Sequence, residues 1–130
     1  RSATLNRFNA LEVTVKAIGQ YWEHRAEHFL RQRGLQLIAR NYSTSSGEID
    51  LIMRDEEHVA FIEVQYRGSA RFGGAIHSIT VAKQRKLKRC AALFISRQEA
   101  WSRYPCRFDV IAYDASNGDE EPLWVRSAFD

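Results

Sequence analysis

The chain predicts an α/β fold, a mixed β-sheet flanked by α-helices, and three features of its pattern carry that prediction. Two adjacent runs, Gly47-Glu48-Ile49-Asp50-Leu51-Ile52-Met53 and Val59-Ala60-Phe61-Ile62-Glu63-Val64-Gln65, alternate every second residue as half-buried strands do. Two other stretches, near residues 14–33 and 80–97, repeat apolar residues at helical spacing. The resulting order is α, three β, α, two β. Short turns let the first three strands pair antiparallel, and a long helical connection then permits a parallel strand.

The first helix is read over 14–33 from Ile18, Trp22, Ala26, Phe29 and Leu30, with Gly34 placed to end it. A strand follows at 35–42, and 43–46 turns the chain into the first acidic strand. The polar tract 54–58 makes a hairpin whose turn centres on Glu56 and Glu57, and the second acidic strand ends near Tyr66. A glycine-rich loop at 67–78 leads to the second helix, with Thr80 as N-cap. Residues 108–113 read as a strand, Asn117-Gly118-Asp119 as a turn and 123–126 as a short last strand. Residues 1–13 are read as an N-terminal extension, of which 1–10 are given no functional weight, and 14–130 as one domain.

With 130 residues, 45% of them hydrophobic and 12% aromatic, the chain can bury one ordinary core. Its net charge of +3 permits an anionic partner. Cys90 and Cys106 lie far apart without a Cys-x-x-Cys unit, so they are expected to be buried free thiols rather than a disulfide or zinc knuckle. No run approaches a membrane span and no signal-peptide pattern appears, which leads to the expectation of a cytoplasmic protein without membrane partners.

The hairpin sets Asp50 roughly opposite Glu63. Two like charges facing each other in a sheet destabilise it unless they share a proton or bind a cation. A hard divalent cation such as Mg²⁺ suits oxygen ligands of this kind. On the wheel of the first helix Glu23 lies at the edge of the apolar arc, which makes it a candidate third acid or, more simply, a boundary glutamate bonded to an arginine. The same helix holds His24-Arg25-Ala26-Glu27-His28, a match to H-x-x-E-H zinc proteases. Both histidines fall opposite the apolar arc, so they are read as surface residues.

Lys83, Arg85, Lys86, Lys88 and Arg89 crowd the start of the second helix, where the helix dipole disfavours cations. Such a run is either a solvated face or, with the free N–H groups there, a phosphate site. Lys83 shares the apolar arc with Leu87, Cys90 and Phe94, so it points inward toward a carboxylate or a bound phosphate. The preceding Tyr66-Arg67-Gly68-Ser69-Ala70-Arg71-Phe72-Gly73-Gly74 suits backbone contact and base stacking, and equally an ordinary loop. No P-loop, G-x-G-x-x-G or G-x-S-x-G is present.

Gly19, Glu23 and Ala26, Ala39-Arg40-Asn41-Tyr42, Gly47-Glu48-Ile49-Asp50-Leu51-Ile52, Phe61-Ile62-Glu63-Val64, Lys83 and Arg107-Phe108-Asp109-Val110 together resemble the YraN family, also called UPF0102. By that resemblance the chain is similar to PD-(D/E)XK nucleases and archaeal Holliday-junction resolvases. The resemblance implies a restriction-endonuclease-like three-layer core and metal-dependent hydrolysis of phosphodiester bonds in structured or branched DNA. It implies Mg²⁺ or Mn²⁺ held by Asp50, Glu63 and Glu23 with the Val64 carbonyl, and catalytic roles for Glu23, Asp50, Glu63, Gln65 and Lys83. The expected nucleic-acid face is Arg40, Arg67, Arg71, Lys83, Arg85, Lys86 and Arg89, and a homodimer is an expected assembly by analogy. Where the family pattern has E-x-K, this chain has Glu63-Val64-Gln65. The alternative expectation is therefore a nuclease-fold DNA-binding or assembly module with weak or no cleavage.

Overall fold

The computed structural model describes residues 7–67, 79–114 and 121–130, with side chains from residue 15 onward. In chain order the elements are α1 (Arg7–Gln32), β1 (Gln36–Thr44), β2 (Gly47–Asp55), β3 (His58–Arg67), α2 (Val81–Arg97), β4 (Cys106–Asp114) and β5 (Leu123–Phe129), with a 3-10 turn at Glu99–Trp101. The five strands form one sheet in sequential order. Only the β3–β4 pair is parallel, because α2 carries the chain back between them; the other three pairs are antiparallel.

Alternation along β3 separates the two halves of the core. Ala60, Ile62 and Val64 pack with Trp22, Ala26 and Leu30 of α1, whereas Val59 and Phe61 pack with Leu87, Ala91 and Phe94 of α2. Successive side chains of a strand point to opposite faces, so the helices cover opposite sides of the sheet. The result is the expected three-layer α/β arrangement, compatible with a restriction-endonuclease-like core.

Local sequence explains where the elements stop. Gly34, at φ 94°, ends α1 in a left-handed step that suits glycine, with Gly34 N–H on the Arg31 carbonyl and Leu35 N–H on the Leu30 carbonyl. Thr80 caps α2 by accepting the Lys83 N–H at 3.1 Å. Glu56 takes a positive φ of 55° in the β2–β3 turn, closed by the Asp55–His58 pair.

Several expectations are corrected. α1 begins at Arg7, well before residue 14, since 7–13 contains no proline or glycine to prevent helix. Ile18 is 43% exposed and not core, because the buried stripe of α1 starts at Trp22 where the sheet begins to cover it. Cys90 is buried but Cys106 is exposed, lying at the start of β4. β1, β4 and β5 each extend beyond the predicted limits, since ladder pairing reaches past their apolar cores. The expected loop at 68–78, including Arg71, and the Asn117-Gly118-Asp119 turn lie outside the described residues.

A buried polar network ties the far side of the sheet together. Asp109 is 1% exposed and accepts from Arg107 Nε at 3.0 and 3.1 Å, Trp124 Nε1 at 3.1 Å and the Ser127 N–H at 3.0 Å. Arg107 also reaches Asp55 at 2.8 Å. The register of β4 against β5 shifts between Phe108 and Val110, where Ser127 adopts φ 50° and turns its N–H to the carboxylate.

Candidate functional site

The site forms where β2 and β3 part. Their ladder runs from Asp55–His58 to Leu51–Ile62, and continuing that register sets Asp50 opposite Glu63. Beyond the last ladder pair, the Val64 N–H donates to Asp50 Oδ2 at 2.8 Å. The N–H and C=O of one strand residue project to the same edge, so the Val64 carbonyl also faces this gap.

β2 changes face as it passes Asp50. Ile49 packs in the α2-side cluster and Leu51 in the α1-side cluster, although strict alternation would put both on one face. The neighbouring strand is also irregular: β1 shifts register between Leu37 and Ala39, and Asn41 sits at φ 48°. Asparagine tolerates this left-handed backbone better than most residues. From there Asn41 Nδ2 donates to Glu23 Oε1 and to Glu48 Oε2, both at 3.0 Å. Ser43 Oγ donates to Glu48 Oε1 at 3.1 Å.

Glu23, Glu48 and Asp50 are thereby gathered, with a carboxylate oxygen from each lying within 4.8 Å of the others. Burial, followed by the charges of Glu63, Glu23 and Glu48, pushes the Asp50 carboxyl up to about 8, against the opposing effect of the Val64 N–H. Carboxylate oxygens are hard donors of the kind a small divalent cation takes, so these residues would fit Mg²⁺ or Mn²⁺.

Glu63 stands beside Asp50 but is ion-paired with Lys83 Nζ. Lys83 in the first turn of α2 reaches this carboxylate with its side chain half-exposed, between the expected inward position and a side chain that snorkels to solvent. Gln65 lies two residues beyond Glu63 on β3, half-buried and on the same face by alternation. The expected acids thus divide: Glu23 and Asp50 join Glu48, while Glu63 stands beside Asp50 with an ion pair of its own to Lys83.

The simple arginine pairing considered for Glu23 belongs instead to Glu27. That carboxylate is 6% exposed, accepts from Arg40 Nε at 2.7 Å and Nη2 at 2.9 Å, and accepts from Arg31 Nε at 2.9 Å. Arg40 is thus engaged with the protein. Arg85, Lys86, Lys88 and Arg89 are exposed along α2, and Arg67 is half-buried at the end of β3. His24 and His28 are exposed, as predicted.

Sequence reasoning missed Glu48, Asn41 and Glu27. Glu48 had a signal, since it lies two residues before Asp50 on one strand face. Glu27 had one in its i,i+4 spacing to Arg31. Asn41 had none of its own, because its role depends on a backbone conformation and on two partners from different elements.

Comparison with known proteins adds relatives. Residues 22–113 match the family described as "Uncharacterised protein family UPF0102". The chain is 46% identical over 113 residues to a UPF0102 protein of Pseudomonas putida strain KT2440, covering 86% of this chain and 91% of that one. It is 47% identical over 111 residues to a UPF0102 protein of Nitrosococcus oceani, covering 85% and 90%. A third, from Pseudomonas syringae pv. syringae, is 44% identical over 118 residues, covering 90% and 96%.

Proposed function

The chain belongs to the UPF0102 family, and from its carboxylate site we propose a Mg²⁺- or Mn²⁺-dependent endonuclease that hydrolyses phosphodiester bonds in structured or branched DNA. The observation that supports this most is the convergence of Glu23, Glu48 and Asp50 at the parting of β2 and β3. Asp50, Glu23 and Glu48 would hold the cation, with Glu63 and the Val64 carbonyl beside them. When bound, the metal supplies Lewis-acid neutralisation of the scissile phosphate and lowers the pKa of water.

The chain's own groups divide the remaining work. Asp50 would give up its proton on holding a cation, and the Val64 N–H keeps its carboxyl group oriented. Gln65 can position the attacking water but carries no charge. Lys83, held at the site by Glu63, supplies the positive charge that the E-x-K lysine would otherwise provide. Water adds to phosphorus, the P–O bond to the leaving strand breaks, and the leaving oxygen takes up a proton. The exposed cations Arg85, Lys86 and Arg89 would hold backbone phosphates and make binding strongly salt-dependent.

Gln65 favours a second reading, a DNA-binding or assembly module on the nuclease fold that cleaves weakly or not at all. One assay separates them: labelled single-stranded, duplex, flap and four-way-junction DNA with Mn²⁺ or Mg²⁺, using wild type, Asp50→Asn and Gln65→Lys. Structure-dependent cleavage lost in Asp50→Asn is the result expected of the nuclease, with little gain in Gln65→Lys where Lys83 is the working cation and a rise where Gln65 is the weak link. Binding without cleavage in wild type and Gln65→Lys alike would make the binding module the correct account.

A further inference from the structure

A groove of about 390 Å³ runs along α1, and no role in metal binding or hydrolysis accounts for its lining. Tyr21, Arg25, His28 and Gln32 follow one another at i, i+4, i+7 and i+11, a single stripe about 16 Å long. Tyr113 of β4 forms part of the facing wall. His24 lines this groove and also a separate, smaller recess of about 180 Å³ that contains Glu23 and Asn41, so the two share a wall on α1.

Two properties define the occupant. Tyr21 is 55% exposed and meets Trp22 edge-on at 5.0 Å. Arg25 lies over the rings of Tyr21, Trp22 and Tyr113 at 5.9, 5.2 and 5.1 Å, leaving the other face of Tyr21 for a ligand, and, among the described residues, pairs with no carboxylate. Arg33, by contrast, is already matched with Glu121 at 3.2 Å. Burial pushes the Tyr113 hydroxyl up to about 12, so it stays protonated and adds no negative charge. The groove therefore offers an aromatic platform beside a cation that has no carboxylate partner among the described residues. Exposed ring faces stack on bases, and cations meet phosphates. A duplex shows this groove its phosphates but conceals the faces of its bases.

We propose that the α1 groove seats an unpaired stretch of DNA, with a base stacked on Tyr21 and a phosphate at Arg25. This rests on the nuclease reading above and narrows its substrate to DNA with a single-stranded arm.

The test is fluorescence anisotropy in chelator, where no cleavage occurs, with labelled oligothymidylate, a blunt duplex and a duplex bearing a single-stranded arm. Tyr21→Ala should weaken binding of the first and third by about tenfold, the scale of one lost base stack, and leave the blunt duplex unchanged. Tyr21→Phe should retain wild-type affinity, and Arg25→Gln should weaken the same two DNAs. In Tyr21→Ala, equal losses on all three DNAs, or no loss at all, would overturn the assignment. Photocrosslinking of wild type to iodouracil-substituted oligothymidylate needs no variant to fold: attachment within the α1 groove supports the proposal, and attachment elsewhere alone refutes it. Binding in chelator is independent of cleavage. Tyr21-dependent strand binding without any cleavage would sink only the nuclease reading, and cleavage with Tyr21-independent binding would sink only the groove.

Discussion

Asp50 holds its proton at neutral pH unless a cation replaces it, and this gives a signed prediction. Its carboxyl titrates near 3.8 in the unfolded chain and is pushed up to about 8 in the fold, first by burial and then by its acidic neighbours. Between those values the folded protein holds more protons than the unfolded chain, so stability falls as pH rises. In chelator, the melting temperature of wild type should decline between about pH 5 and pH 8 by this route. Asp50→Asn should remove that decline and be the more stable protein at pH 8, while Mn²⁺ should raise the melting temperature of wild type only. A decline of equal slope in the variant would contradict the clustered site. Glu27 behaves in the opposite sense: hydrogen bonding to Arg40 lowers its pKa from 4.5, so its contribution is present above that value and lost as pH falls. Candidate acids were legible from spacing alone, yet their partners were not. Glu23 and Glu27 lie one helical turn apart with similar chemistry, and only the fold gives one to Asn41 and the other to Arg40.

At the scale of elements, α2 shows how a helix start can be both unfavourable and useful. Its first turn has no acidic residue to complement the dipole and begins a run of five cations. Thr80 offsets this by capping the Lys83 N–H, and Glu63 on β3 takes the Lys83 ammonium. Thr80→Ala should cost about 1 kcal/mol in urea denaturation, with weaker phosphate binding if the frayed turn releases Lys83. A loss confined to phosphate binding, with no change in stability, would show that the cap does not hold the helix start. The extent of α2 was readable because its cap, apolar period and end are all local signals. The face reversal of β2 at Asp50 was not, since it arises with the irregular register of β1 beside it.

Across the whole molecule, Asp109 joins regions distant in sequence. Its carboxylate binds Arg107, Trp124 and the Ser127 backbone, and Arg107 continues to Asp55 at the β2–β3 turn. Removing one partner from a buried charge network leaves the others uncompensated, so Asp109→Ala should destabilise the protein by about 3–5 kcal/mol. Chemical denaturation checks this, and a loss below about 1 kcal/mol, the scale of an exposed pair, would show that the network is not structurally important. Asp109 pairs with Ile62 beside Glu63, but its carboxylate is taken by Arg107, Trp124 and Ser127 rather than by the acidic cluster, so a milder Asp109→Asn should lower stability well before it alters metal binding.

By itself the sequence determined the order and type of the elements, the mixed sheet and the facing of Asp50 and Glu63. Period-2 and helical spacing, a capping threonine and a terminating glycine are all encoded over a few residues. Only the tertiary structure decided that Glu48 joins Glu23 and Asp50, that Glu63 goes to Lys83, and that Arg40 goes to Glu27. Those outcomes depend on how helices and strands remote in the chain are brought side by side, and on a left-handed turn at Asn41 that no local pattern specifies.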